Sequence, residues 1–125
     1  MYVKKTVWKK YDEVVQIMNF KGGLCRGEDK GFFTETELEY CTQRLRCLGA
    51  RFMIKECVFD YLESELGHVE KNYHEIEIIN NEFKKPVIRL FNGIHECVRA
   101  LNIGEILISI SHSRNWITGM VVFCY

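Results

Sequence analysis

The run GARFMIKECVFDYLESEL, residues 49–66, constrains the fold more than any other stretch of the chain. Ala50, Ile54, Val58 and Tyr61 recur at helical spacing and would pack into a core. Glu56, Asp60 and Glu63 recur at i, i+4 and i+7 along an opposite face. Gly67 follows and would stop the helix. Inside the run a charged pair, Lys55-Glu56, stands between Phe52-Met53-Ile54 and Cys57-Val58-Phe59. Taken alone, Glu56 reads as a solvated charge on an amphipathic helix. The sharper reading is a ligating carboxylate and a phosphate partner held in a cleft.

The flanking segments set the fold class. Residues 1–19 carry Val3, Val7, Trp8, Tyr11, Val14, Val15 and Met18 at helical spacing, with charges between them. A strand over residues 1–8 is the alternative, because Tyr2, Val3, Thr6, Val7 and Trp8 are good strand formers. KGGLCRGEDKG, residues 21–31, holds four glycines and reads as a loop. Thr34 and Glu37 form a capping-box pattern that opens a helix through Leu38, Cys41, Leu45 and Leu48, with Gly49 expected to end or bend it. HEIEII, 74–79, alternates like a strand, NNEFKKP turns the chain, and Pro86 starts a second strand. Residues 93–102 suit a short helix. EILISIS, 105–111, and the segment from Trp116 to the end read as strands joined by SHSRN. Helices followed by a strand-rich half give an α+β fold. With 125 residues, one domain spanning 1–125 is expected.

Seventeen basic and seventeen acidic residues balance. A general nucleic-acid binder usually shows a basic excess, so that class is disfavoured. No stretch reaches the roughly 20 apolar residues of a membrane span. The N-terminus has charges but no apolar core of a secretory signal, so a cytoplasmic protein is expected. Six cysteines, at 25, 41, 47, 57, 97 and 124, show no C-x-x-C pair and no zinc spacing. They are expected to be reduced thiols, mostly structural.

Three segments in order, FFTETELEYC (32–41), ARFMIKECVFDYL (50–62) and EILISISHSRNWITGMVVF (105–123), resemble the successive motifs of the holo-acyl-carrier-protein synthase family of small phosphopantetheinyl transferases. Between them HEIEIINNEFKKPVIRL resembles the family's paired strands. Lys84-Lys85-Pro86 stands where a Gly-Lys-Pro turn is usual. The resemblance covers about residues 32–123 and implies helices packed on an antiparallel sheet. It implies transfer of 4′-phosphopantetheine from coenzyme A to a serine of an acyl carrier protein in fatty acid or polyketide biosynthesis. It further implies Mg²⁺, and a homotrimer with sites between protomers. Glu56 matches the family's helix metal ligand and Lys55 the lysine beside it. His112, flanked by Ser109, Ser111 and Ser113, matches a histidine near the bound coenzyme, and Arg51 a basic position. The catalytic set so implied is Glu56, Lys55 and His112. The coenzyme-binding set is Arg51, Lys55, Ser111, His112 and Ser113.

Two departures qualify the match. The family's first strand carries a glycine-rich motif ending in an aspartate, its second metal ligand. Residues 1–31 diverge from it. Asp12 lies at nearly the right distance before Thr34, but Lys9, Lys10 and Tyr11 stand in place of the glycines. The family helix also reads K-E-x-x-x-K, whose later lysine helps bind the phosphates; here that position is Asp60. The metal set implied is therefore Glu56 with Asp12, Asp60 or both. The alternative is a catalytically diverted or inactive member that binds a carrier protein or serves assembly. Carrier docking is left to Lys21 and Arg26.

Overall fold

The chain opens with a strand, β1 (Tyr2–Lys10), followed directly by α1 (Tyr11–Phe20). The helix expected over residues 1–19 thus starts only at Tyr11, and the strand alternative extends over residues 2–10. The ambiguity has a plain cause. Val3, Val7 and Tyr11 are four apart, and an even spacing also places residues on one face of a strand. β1 pairs antiparallel along its whole length with the last strand, from Tyr2 opposite Cys124 to Lys10 opposite Trp116. That pairing decides in favour of strand. The computed structural model describes residues 1–20, 31–42 and 44–125. The glycine-rich stretch, with Lys21, Cys25 and Arg26, lies outside the described residues except for Gly31.

α2 (Glu35–Cys41) begins with the capping box read from the sequence. The Thr34 hydroxyl accepts from the Glu37 amide at 3.2 Å, and Glu37 Oε1 accepts from the Thr34 amide at 2.9 Å. The helix stops at Thr42, whose φ of 48° lies in the left-handed region. α3 (Leu45–Leu66) then runs straight through Gly49, so the break expected at Gly49 falls earlier, before Leu45. Gly49 serves packing instead. A Cβ there would lie 3.0 Å from Val14 Cγ1 and 3.2 Å from Ile117 Cδ1, so its absence lets α1 close onto α3. Gly67, at φ 84°, ends α3 as read.

The tight turn between α2 and α3 corrects the cysteine expectation. It brings Cys41 and Cys47 to a Cα separation of 5.5 Å, and the two form a disulfide. Their spacing of six residues has no motif character, and the pairing depends on the turn at Thr42. Cys57, Cys97 and Cys124 carry free thiols.

The second half follows the sequence reading closely. A 3₁₀ turn at Tyr73–Glu75 leads into β2 (Ile76–Asn80), which pairs antiparallel with β3 (Pro86–Leu90). α4 (Asn92–Ala100), β4 (Glu105–His112) and β5 (Trp116–Cys124) complete the chain. The larger sheet has the order β1-β5-β4, all antiparallel, and β2-β3 form a separate ribbon. α3 lies across the inner face of the larger sheet. Ile54 packs so close to Gly119 of β5 that a Cβ at Gly119 would sit 2.7 Å from Ile54 Cδ1. Ile54, Val58, Phe59 and Leu62 meet Ile76, Ile78, Val121 and Phe123 in one core cluster. Val14, Met18, Leu48, Phe52 and Ile117 form the second, under α1. The α+β reading stands, with helices packed on antiparallel sheet. Among the described residues no helix is long and apolar enough to cross a membrane.

The two helices and the ribbon meet at one buried ion pair. Lys55 and Glu37 are both fully buried, with Nζ 2.6 Å from Oε1. Lys55 also donates to the carbonyls of Phe32, at 2.6 Å, and Tyr73, at 3.0 Å. Glu37 Oε2 accepts from the Ile78 amide at 2.9 Å. Burial lowers the Lys55 pKa and Glu37 opposes that shift. Removing one member of such a pair leaves a buried charge uncompensated and costs about 3–5 kcal/mol. Lys55→Met should therefore lower the urea unfolding free energy by that amount. A loss below about 1 kcal/mol, the scale of a surface pair, would contradict this view of the junction.

Candidate functional site

A cavity of about 930 Å³ opens between β1, α1 and α3. Its size falls within the range of small-molecule sites. Val7, Val14, Ile17, Phe52 and Met53 give it apolar walls. Its acidic side comes from Glu56 and Asp60, which lie one turn apart on α3 and so share a face. Its basic side comes from Lys5 and Lys9 of β1.

Glu56 is held from outside α3. The Tyr73 hydroxyl donates to Glu56 Oε1. The Tyr73 ring packs against Phe32, Phe52 and Phe59 at centroid distances of 4.8, 5.9 and 5.0 Å, and its carbonyl accepts from Lys55. Ring and backbone are therefore both anchored, and the hydroxyl is presented to the carboxylate by a rigid support. Burial, the bond to Glu56 and its negative charge all push the Tyr73 pKa up, so this hydroxyl stays a donor at any physiological pH.

The other residues singled out in the sequence fall in three places. Lys55 lies beneath the cavity rather than on its wall, with its ammonium already donating to Glu37 and two carbonyls. An ammonium has three protons to give, so Lys55 as placed has none left for a phosphate. It orders the floor that carries Tyr73. Arg51 and His112 share a second, smaller cavity of about 210 Å³, which Arg44 and Lys84 also line. Arg51 is buried there, donating to Ile78 O at 2.9 Å and Asn80 Oδ1 at 3.0 Å, with its guanidinium 4.9 Å from the Tyr40 ring centroid. Burial lowers its pKa, with Glu37 acting the other way. His112 ends β4, and Ser111 and Ser113 beside it are exposed. Asp12 lines neither cavity. It is exposed in the first turn of α1, where a carboxylate complements the helix dipole.

Among the described residues, no three His, Cys, Asp or Glu side chains are grouped so as to hold a metal ion. Two carboxylates on one cavity wall still suit Mg²⁺, which keeps several waters and binds through one or two carboxylates together with substrate phosphates. Glu56 and Asp60 meet that requirement. Lys5 and Lys9, which line the cavity, and Tyr73, which holds Glu56, are the residues that sequence reasoning missed. The lysines were legible only once β1 is a strand, since Val3, Lys5, Val7 and Lys9 then alternate onto the face toward α3. Nothing in the local pattern around Tyr73 marks its role.

No family model matches the sequence. The chain is 32% identical over 113 residues to holo-acyl-carrier-protein synthase of Dehalococcoides mccartyi, covering 88% of this chain and 92% of that protein. It is 30% identical over 118 residues to holo-acyl-carrier-protein synthase of Shewanella amazonensis, covering 90% and 94%. Among solved structures, the acyl-carrier-protein synthase–CoA complex of Chronobacterium ammoniagenes superposes with a TM-score of 0.78 at 17% identity, covering 100% of this chain and 98% of that one. Helicobacter pylori holo-acyl-carrier-protein synthase in complex with coenzyme A gives 0.69 at 20% identity, covering 95% and 97%. At such identities the structural likeness speaks for the fold.

Cys57 sits beside Glu56 and tests whether the cavity supports thiol chemistry instead. Burial, reinforced by Asp60, pushes its thiol up to about 11. A thiol that stays protonated is a poor nucleophile. Iodoacetamide at pH 8 should label Cys57 far more slowly than a free thiol, read by peptide mass spectrometry. Labelling at the free-thiol rate would point to a cysteine enzyme instead.

Proposed function

The chain belongs to the holo-acyl-carrier-protein synthase family, and on that premise we propose that it transfers 4′-phosphopantetheine from coenzyme A to a serine of an acyl carrier protein. The serine hydroxyl attacks the phosphorus next to the pantetheine arm. A new O–P bond forms, the bridging P–O bond of the diphosphate breaks, and adenosine 3′,5′-bisphosphate leaves as the serine proton is released. One observation carries the reading: a carboxylate on α3, Glu56, is held by Tyr73 on the wall of a cavity of coenzyme size.

Mg²⁺ bound there would neutralise charge building on the phosphates. Glu56 and Asp60 are the residues that would hold it. Asp12, exposed on α1, is left with helix-dipole stabilisation. Tyr73 fixes the Glu56 rotamer, and Lys55 fixes Tyr73. Arg51 and His112 would meet a different part of the coenzyme at the smaller cavity, which Ser111 and Ser113 do not line. In one chain the two groups face separate cavities, which is what a site completed across a subunit boundary requires. The outer face of the larger sheet supports such a boundary. Trp8 and Trp116 meet there in a tilted pair, 5.2 Å between ring centroids, and Tyr2 and Leu107 are exposed on the same face. Apolar surface of this kind marks a protein interface, and we infer a homotrimer built on it.

Asp60 favours a second reading, a diverted member, because it places a negative charge where the family has a phosphate-binding lysine. Calorimetry with coenzyme A and Mg²⁺ separates the two. Binding, together with labelled phosphopantetheine appearing on an acyl carrier protein, is expected; no binding at millimolar coenzyme A would leave only the diverted member. Tyr73→Phe should weaken Mg²⁺ affinity about tenfold, the usual cost of losing a hydrogen bond to a ligating carboxylate. Glu56→Gln should lower transfer by more than about a hundredfold while leaving the melting temperature nearly unchanged. Light scattering on the purified chain should give a trimer mass, and a Trp8→Lys variant should shift it toward monomer.

A further inference from the structure

The cavity carries a charge arrangement that the sequence match does not explain. Its helix side is doubly acidic, with Glu56 and Asp60, and its strand side is doubly basic, with Lys5 and Lys9. Both lysines come from the inward face of β1. Lys5 pairs opposite Val121 and Lys9 opposite Ile117, with Val7 between them opposite Gly119. Gly119 is the point at which Ile54 of α3 touches the sheet, so this face of β1 looks toward α3. Lys5 Nζ lies 5.9 Å from the centroid of the Tyr61 ring, next to Asp60 in the helix.

The balance of charge gives these lysines a task. Two carboxylates cancel a divalent cation, so the diphosphate's own negative charge must be met by cations elsewhere in the cavity. Lys55 cannot supply one, since its protons are spent on Glu37, Phe32 and Tyr73. Arg51 faces the other cavity. We propose that Lys5 and Lys9 of β1 are the diphosphate-binding cations of this enzyme, replacing from the strand the positive charge that Asp60 removes from the helix. Lysine suits the position, being a compact charge on a flexible stem that can follow a moving phosphoryl group. The assignment rests on the transferase reading given above.

Calorimetry on the full chain with coenzyme A and saturating Mg²⁺ tests it. The Lys5→Ala/Lys9→Ala variant should bind coenzyme A about tenfold or more weakly, the usual loss for hydrogen bonds to a charged group. Lys5→Arg/Lys9→Arg should stay near wild type. Circular dichroism and melting temperature report whether each variant is folded; both lysines lie on the cavity wall rather than in the core, so unchanged melting is expected. If wild type binds coenzyme A and the alanine pair binds it equally well, the assignment is overturned while the transferase reading stands. If wild type does not bind coenzyme A at all, the transferase reading fails and takes the assignment with it.

Discussion

The buried Lys55–Glu37 pair is the constraint on which the rest of the structure depends. Desolvating two charges is expensive, and an ion pair alone seldom repays it. Here the remaining hydrogen-bonding capacity is used on backbone. Lys55 takes the carbonyls of Phe32 and Tyr73, and Glu37 takes the amides of Thr34 and Ile78. Through the ion pair these bonds tie three segments to α3: the lead-in to α2, the 3₁₀ turn and β2. The pair therefore fixes where four pieces of chain meet, which packing of Leu and Ile faces alone would specify less sharply.

This junction also sets the geometry of the cavity. Tyr73 is anchored by its carbonyl on Lys55 and by its ring on Phe32, Phe52 and Phe59. Its hydroxyl then has one direction to point, toward Glu56. Lys55 and Glu56 are adjacent in sequence and point about 100° apart around α3. One serves the core and the other the cavity, and the chain between them is a single peptide unit. Preorganisation of the acidic wall is thus inherited from the core.

How much of this was legible in the residues differs from element to element. α3 was legible because its apolar positions repeat at helical spacing and Gly67 ends it. β2, β3, β4 and β5 were legible because alternation, a proline start and turn residues mark them. β1 was ambiguous, since its spacing of four satisfies two periods and only the long-range pairing with β5 decides. Gly49 misled because a glycine that allows close packing looks the same as one that ends a helix. The Cys41–Cys47 bond required knowing the left-handed turn at Thr42. In the site, Glu56 and Asp60 could be placed on one helix face by counting. Lys55 could not be sorted from them, because a buried and a cavity-lining lysine differ only in their partners, 18 residues away for both Glu37 and Tyr73.

The charge exchange proposed between strand and helix was hidden by the same difficulty. Reading α3 alone, Asp60 looks like damage to a phosphate site. Reading β1 as a helix, Lys5 and Lys9 look like solvent-facing charges. Only when β1 is a strand paired to β5 do its odd-numbered residues turn inward, and the two oddities come to face one cavity. A phosphate site requires positive charge at a place, not on a particular element. A substitution that moves that charge from one wall to another preserves the field in the cavity while breaking the motif. With Lys9 and Lys10 closing the strand, β1 stays extended up to the first turn of α1 and carries Lys5 and Lys9 into the cavity wall.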